Sequence, residues 1–313
     1  MDYDVVIVGS GALALFSSLK AHQKGYSCIR IGKGVPFERF LLLHENAVRV
    51  IQRNYGVAFG HPLKGLKVLD RNLKQLREFS FEKYGIRLHS ARYSHLYRFM
   101  EEHARGEEVE DWVEYMDKDG TVRTKSGREF RARRFVINTA KGFKKPTFRF
   151  KHRKVFHMGF VNMDFDRKWV YQINDRGTYI AIVPFEEDFA IVYSGDPSPV
   201  EKLVGLNPQD MSFMELKLET YYHPFYREGK IYHVGEAIRR VHPHTGQGLN
   251  RALDTIEAIF EGKNLFREEV YDLFMWLGGI GLDLSWGSSP LLRNLSFILL
   301  DNPLGARILS GTL

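Results

Sequence analysis

KIYHVGEAIRRVHPHTGQGLNRALD, residues Lys230 to Asp254, is the most specific stretch in the chain. A mostly apolar strand is predicted at Ile231–Val234. It runs into Gly235-Glu236 and a polar loop that closes through Pro243 and Thr245-Gly246-Gln247-Gly248, and a helix begins near Leu249-Asn250. Gly246 and Gly248 allow backbone amides to approach a ligand with no side chain in the way. The helix start then aims free N–H groups and a partial positive charge at the same place. Such a turn is an anion cradle suited to a pyrophosphate. The same string also fits a strand, a Pro/Gly loop and a helix in an ordinary α/β core, so it has to be read with the rest of the chain.

The N-terminus supplies a second glycine turn. Asp4–Ile31, DVVIVGSGALALFSSLKAHQKGYSCIRI, has a buried run at Val5–Val8, Gly9 and Gly11, a helix to about Lys24, and a second strand at Ser27–Ile31. Gly25 suits the helix exit. This is the start of a dinucleotide-binding βαβ unit, with Gly9 for the tight turn, Gly11 for approach to pyrophosphate and Ala14 for close helix packing. The carboxylate that would grip a ribose at the end of the second strand is missing, because Gly32 and then Lys33 stand there. Losing that charge-assisted contact costs roughly 1.5–3 kcal/mol. Another residue compensates, binding is weak, or Lys33 reads a phosphorylated ribose.

Gly235, Ala237, Pro243, Gly246, Gln247, Gly248, Leu249 and Asn250 match G-D-A-x(5)-P-x-x-G-Q-G-L-N residue for residue. The stretch therefore resembles the second FAD fingerprint of the p-hydroxybenzoate hydroxylase class. The resemblance implies an α/β fold in which a Rossmann-like FAD-binding domain carries an inserted antiparallel β-sheet substrate domain and C-terminal helices. It implies FAD as cofactor, NAD(P)H as a candidate electron donor, and a polar edge at N1–C2=O of the reduced flavin facing the helix start. Glu236 replaces the Asp that contacts the ribityl chain in that class. Glu38-Arg39 loosely resembles the D-x-R-x-x-A-L segment of ubiquinone-biosynthesis hydroxylases, which would put Arg39 near the flavin. Ala140-Lys141 stands where the class has a second Asp-Gly motif for FAD and NAD(P)H, so that motif is absent.

Elsewhere the pattern predicts a helix in the later part of Phe37–Tyr55, a β-hairpin over Leu63–Tyr84, a helix at Tyr93–Ala104 and a small antiparallel unit over Val109–Phe130. Phe135–Ala140 returns to the first sheet, and Lys154–Asp196 is a run of strands. Their aromatic residues (Phe156, Phe160, Tyr171, Tyr179, Phe185, Phe189, Tyr193) either close an apolar cavity or form core. Helices are expected at about Gly248–Glu261, Phe266–Leu277 and Pro290–Leu309, the last split by Pro303. The division expected is residues 1–70, 91–150 and 230–265 for the FAD-binding domain, 71–90 and 151–229 for the substrate sheet, and 266–313 for a C-terminal helical segment.

A hydrophobic content of 44% and a charged content of 27% describe a globular protein able to bury a full core. The single cysteine, Cys28, excludes an internal disulfide and fits a reducing compartment. The chain begins directly with a strand, so a cytoplasmic location is expected, and its apolar runs are too short to span a bilayer. A net charge of +7 fits a solvated basic surface first and contact with a membrane surface second. No nucleic-acid-binding motif accompanies it. Metal spacing, a serine-nucleophile elbow and a phosphate loop are all missing, although His242 and His244 flank Pro243 near His233.

Three functions remain open. One is an FAD-dependent oxidoreductase or monooxygenase acting on a small apolar aromatic or isoprenoid-quinone substrate, as in quinone biosynthesis. Another is an isoprenoid enzyme, since Val241–Gly246 resembles the V-H-P-x-T-G of lycopene cyclases and geranylgeranyl reductases share the class. The cyclase acids are replaced by Tyr193-Ser194-Gly195-Asp196. The third is a non-catalytic paralogue that binds a lipid or a partner, with Gly32, Ala140-Lys141 and Glu236 as lost positions. No side chain is a clear acid or base, and Arg39, His242 and Gln247 are the nearest catalytic candidates.

Overall fold

The computed structural model describes residues 1–34, 38–175, 178–205, 213–240, 247–288 and 301–310. The chain opens with strand β1 (Asp2–Val8), helix α1 (Ala12–Gln23) and strand β2 (Cys28–Ile31), the expected βαβ unit. Strand β3 (Phe40–His44) leads into α2 (Glu45–Tyr55), followed by β4 (His61–Leu63), β5 (Gly65–Leu69) and β6 (Gln75–Ser80). Then come β7 (Leu88–Arg92), α3 (Tyr93–His103), β8 (Glu107–Val109), the hairpin of β9 (Val113–Met116) with β10 (Thr121–Thr124), and β11 (Glu129–Asn138). Strands β12 (Phe148–Val161), β13 (Trp169–Asp175), β14 (Thr178–Pro184) and β15 (Phe189–Ser194) precede α4 (Ser198–Val204) and β16 (Met214–Tyr222). The last described elements are β17 (Arg227–Glu228), β18 (Ile231–His233), α5 (Gln247–Phe260), α6 (Phe266–Ser288) and α7 (Pro303–Ser310).

The first sheet runs β17-β18-β11-β1-β2-β8, with the β9–β10 hairpin attached to β11. The four pairings from β18 to β8 are parallel, so five strands end along one edge. Alternation along β1 divides its side chains between two cores. Val5 and Ile7 pack with α1, α2, α3 and α5, whereas Val6 and Val8 pack with Val122 of β10 and Phe130 of β11. Both faces are covered, as a parallel sheet requires.

The second sheet has the order β16-β12-β15-β14-β13-β5-β6 and is antiparallel except where β5 meets β13. Strand β5, which the expected division placed within 1–70, pairs in this sheet. One face packs Tyr171, Ile182, Phe189 and Tyr193 against Val200 of α4, and the other packs Val170, Val183 and Phe185 against Leu63, Leu88 and Ala306. The aromatic residues of this run therefore form core: Phe156, Tyr171, Phe185, Phe189 and Tyr193 are buried, and Phe160 and Tyr179 pack on the clusters they make. A small sheet, β3-β7-β4, joins the two halves. Leu88 of β7 belongs to the core of the second sheet and Ala91 to that of the first.

Helix α6 extends well past the expected Leu277, and α7 starts at Pro303, where a missing N–H costs nothing. The expected helix at 290–302 lies largely outside the described residues. Among the described residues, no helix is long and apolar enough to cross a membrane.

Two buried histidines make the fold sensitive to acid. Burial pushes the imidazoles of His44 and His233 down to about 4. An unfolded histidine titrates near 6.5, so between these values the unfolded chain binds more protons. Stability is therefore full above about pH 6.5 and falls as pH drops toward 4. Urea midpoints measured from pH 8 to 4.5 should be flat and then decline, and His44→Leu should make the decline shallower.

Candidate functional site

The N-terminal glycine turn after β1 and the Gly235 turn after β18 lie at the C-terminal edge of the first sheet, where parallel α/β sheets bind ligands. Gly9 has φ +134°, and a Cβ there would lie 2.1 Å from Thr139 Oγ1 at the end of β11. Gly11 begins α1, and a Cβ on it would lie 2.9 Å from the Tyr93 hydroxyl. That hydroxyl accepts the Ala12 N–H at 3.0 Å. Ala14 is fully buried, as a close-packing position must be. Gly235 follows β18 with φ +62°, and its Cβ would lie 2.6 Å from Leu13 Cδ1 of α1 and 3.6 Å from Ala252 Cβ of α5.

Helix α5 is docked by the fingerprint asparagine. Asn250 is fully buried, accepts the His44 N–H at 2.9 Å and donates to the Leu42 carbonyl at 2.8 Å. Its amide bonds the backbone around β3, so it positions the helix. Leu249 likewise packs on the core. Gly248 lines a small cavity with Gly235, Arg239, Arg251 and Asp272. Gln247 begins α5. Pro243, Thr245, Gly246 and His242 lie outside the described residues.

Charge gathers at the same edge. The Glu38 carboxylate accepts the backbone N–H of Arg39 at 3.1 Å and of Ser94 at 3.4 Å, and the Arg39 carbonyl accepts the Tyr93 N–H at 2.8 Å. The Arg39 guanidinium is thereby held over the Tyr93 ring, 4.5 Å from its centroid. It lies 3.3 Å from Glu236 Oε1, and its Nε is buried without a partner. Lys141 pairs with the other oxygen of Glu236, and Arg240 approaches at 3.9 Å. Burial works against the Glu236 carboxylate, yet Arg39, Lys141 and Arg240 outweigh it and hold the group below the usual carboxylate range. Three cations around one carboxylate leave two positive charges in excess. The substitutions at 141 and 236, which look like separate losses in the sequence, are bonded to each other.

The missing carboxylate at position 32 also has a local explanation. A Cβ on Gly32 would lie 2.5 Å from the Gly9 carbonyl carbon, so the end of β2 is pressed against the glycine turn. Gly32 N–H donates to the Val109 carbonyl of β8 at 3.1 Å, which brings Glu110 alongside. Lys33 Nζ lies 3.8 Å from Glu110 Oε1, and both are exposed. Glu110, Lys141 and Arg240 were not nominated from sequence. Only the parallel pairing of the three-residue strand β8 with β2 brings Glu110 to this edge.

No protein-family model and no curated protein matches the sequence. Solved structures do match the fold over nearly all of the chain. p-Nitrophenol 4-monooxygenase PnpA from Pseudomonas putida DLL-E4 superposes with a TM-score of 0.78 at 14% identity, covering 99% of this chain and 97% of that one. HpxO from Klebsiella pneumoniae, solved with FAD and uric acid, gives 0.78 at 17% identity, covering 100% and 95%. 2-Methyl-3-hydroxypyridine-5-carboxylic acid oxygenase gives 0.76 at 15% identity, covering 99% and 96%. The fold is that of the FAD-dependent monooxygenases. In this fold, the parallel sheet carries the turns at Gly9 and Gly235, and the antiparallel sheet is built from β5, β6 and β12–β16.

Restoring an acid at position 32 should harm this chain. Gly32→Glu should destabilise it by about 1–3 kcal/mol, the usual cost of overpacking, measured as a lower thermal midpoint. Glu110→Gln should leave stability nearly unchanged.

Proposed function

We propose that the chain binds FAD and works as an FAD-dependent monooxygenase on a planar aromatic or heteroaromatic substrate. An isoprenoid-quinone precursor is the narrower class we favour, with NAD(P)H as electron donor. The observation that carries this reading is that the Gly9-Gly11 turn and Gly235 lie beside a cluster in which Arg39, Lys141 and Arg240 surround Glu236 with two positive charges in excess. A dinucleotide pyrophosphate carries two negative charges, so the donor set and the ligand balance. Gly9 and Gly11 would offer a cradle without side chains, Arg39 and Lys141 would neutralise phosphate, and the start of α5 would face the flavin end. FAD, when bound, supplies the redox chemistry of reduction and oxygen activation.

The chain's own residues prepare the site. The Tyr93 hydroxyl holds the first turn of α1 in place, and its ring seats the Arg39 guanidinium. Glu236 keeps Arg39 and Lys141 side by side, which two like charges would otherwise resist. The Asn250 bridge fixes the direction in which α5 points.

The cyclase reading has less support. Asp196, at the position of the cyclase acids, accepts the Ser198 N–H at 3.0 Å and pairs with Arg71 at 3.3 Å. The Val-His-Pro-His-Thr-Gly run lies outside the described residues. The non-catalytic reading rested on three lost positions, and all three have structural partners: Gly32 against the Gly9 turn, and Lys141 with Glu236.

Purified protein titrated with FAD should develop a bound-flavin visible spectrum and quench flavin fluorescence. Lys141→Met should weaken FAD about ten- to a hundredfold, corresponding to a charge-assisted contact of roughly 1.5–3 kcal/mol. A wild-type chain that leaves the flavin signal unchanged would sink the proposal.

A further inference from the structure

The first half of helix α6 turns three acids toward the protein and leaves an apolar stripe outside. Asp272 is 5% exposed and accepts from Arg239 at 2.8 Å and Arg251 at 3.2 Å, and Glu268 pairs with Arg251. Glu269 accepts the Tyr226 N–H at 3.1 Å. Met275 and Trp276 are buried, but four other apolar side chains face outward: Phe266 is 67% exposed, Val270 37%, Phe274 67% and Leu277 51%. Steps of four, four and three residues place them on one stripe. Twelve residues of helix make that stripe about 17 Å long.

Neighbouring elements widen the patch. Phe148, at the start of β12, is exposed and its ring lies 6.2 Å from that of Trp276 of α6. Phe225 is also exposed, next to the Tyr226 that bonds Glu269. A surface helix in water normally shows the opposite arrangement. A contiguous apolar face of this kind marks an interaction site.

Charge selects the occupant. Between Phe266 and Gly278 the exposed positions are Phe266, Arg267, Val270, Phe274, Leu277 and Gly278. That set contains one cation and no carboxylate. The chain as a whole carries +7, so two copies repel each other while an anionic surface attracts either one. The stripe is too short to span a bilayer, but its length suits a helix lying in the interface plane.

We propose that the outer face of α6 seats the protein on an anionic lipid bilayer. Phe266, Val270, Phe274 and Leu277 enter the headgroup–acyl boundary, and Arg267 stays at the level of the lipid phosphates. The surface is independent of the cofactor site, since its contacts with lipid involve none of the residues that would hold FAD.

The test is co-sedimentation of the full chain with phosphatidylcholine vesicles, with and without phosphatidylglycerol. The chain should bind the anionic vesicles more tightly than the neutral ones, and added salt should weaken that binding. The double variant Phe266→Ser/Phe274→Ser should bind at least tenfold more weakly, with an unchanged thermal midpoint because both side chains are exposed. Three results would overturn the proposal: no binding of the wild type to anionic vesicles, equal binding by the variant, or a wild-type dimer by light scattering that the variant dissociates. The last would assign the face to a second copy. None of these readouts depends on flavin, so FAD binding can fail while this stands, and the reverse.

Discussion

The structure depends on one close approach. Gly235 comes close against α1 and α5, and a Cβ there would stand 2.6 Å from the tip of the Leu13 side chain, which would have to shift. Its positive φ would strain any other residue as well. Because that contact is allowed, the end of β18 reaches the turn after β1, and α5 packs on α1. Gly9 makes the matching concession to Thr139 at the end of β11. Three parallel strands therefore finish at one place, and the first turns of two helices stand beside them.

Electrostatics completes what sterics begins. Backbone N–H groups at a helix start favour an anion but hold only part of a charge. Here Arg39 and Lys141 add full charges, and Glu236 keeps them from repelling each other. The carboxylate remains ionised although it is partly buried, because its partners outweigh the desolvation. A conventional aspartate at position 236 and a glycine at 141 would leave a less basic edge. The chain has replaced one arrangement with another of different charge, and position 32 has been closed by packing in the same region.

The remaining architecture holds this edge in place. The small sheet β3-β7-β4 contributes side chains to both main cores and so packs against both the inserted sheet and the parallel sheet. Buried Asp272 ties α6 to Arg239 and Arg251. Removing Asp272 would leave the buried Arg239 guanidinium without its carboxylate, at a cost of about 3–5 kcal/mol. That network turns the acids of α6 inward, and the apolar stripe faces out as a geometric consequence.

Much of this was legible in the amino-acid order. The run Val5–Val8, the spacing of Gly9, Gly11 and Ala14, and the Gly235–Asn250 motif are local patterns, and local patterns determine strand, turn and helix before any distant contact forms. The second sheet was legible for the same reason, through alternation between Lys154 and Asp196. Pairing partners were not legible. Lys141 bonds Glu236 and Glu110 reaches the end of β2 only because parallel strands far apart in sequence share an edge. That Asn250 braces α5 against β3 was likewise not legible, because the backbone it holds lies some two hundred residues earlier in the chain. The sequence by itself determined the two glycine turns and the periods of the elements around them, since these rest on backbone sterics and short-range burial. The tertiary structure alone decided which charges meet and which helix face stays outside, since those depend on distances between residues that the chain order does not constrain.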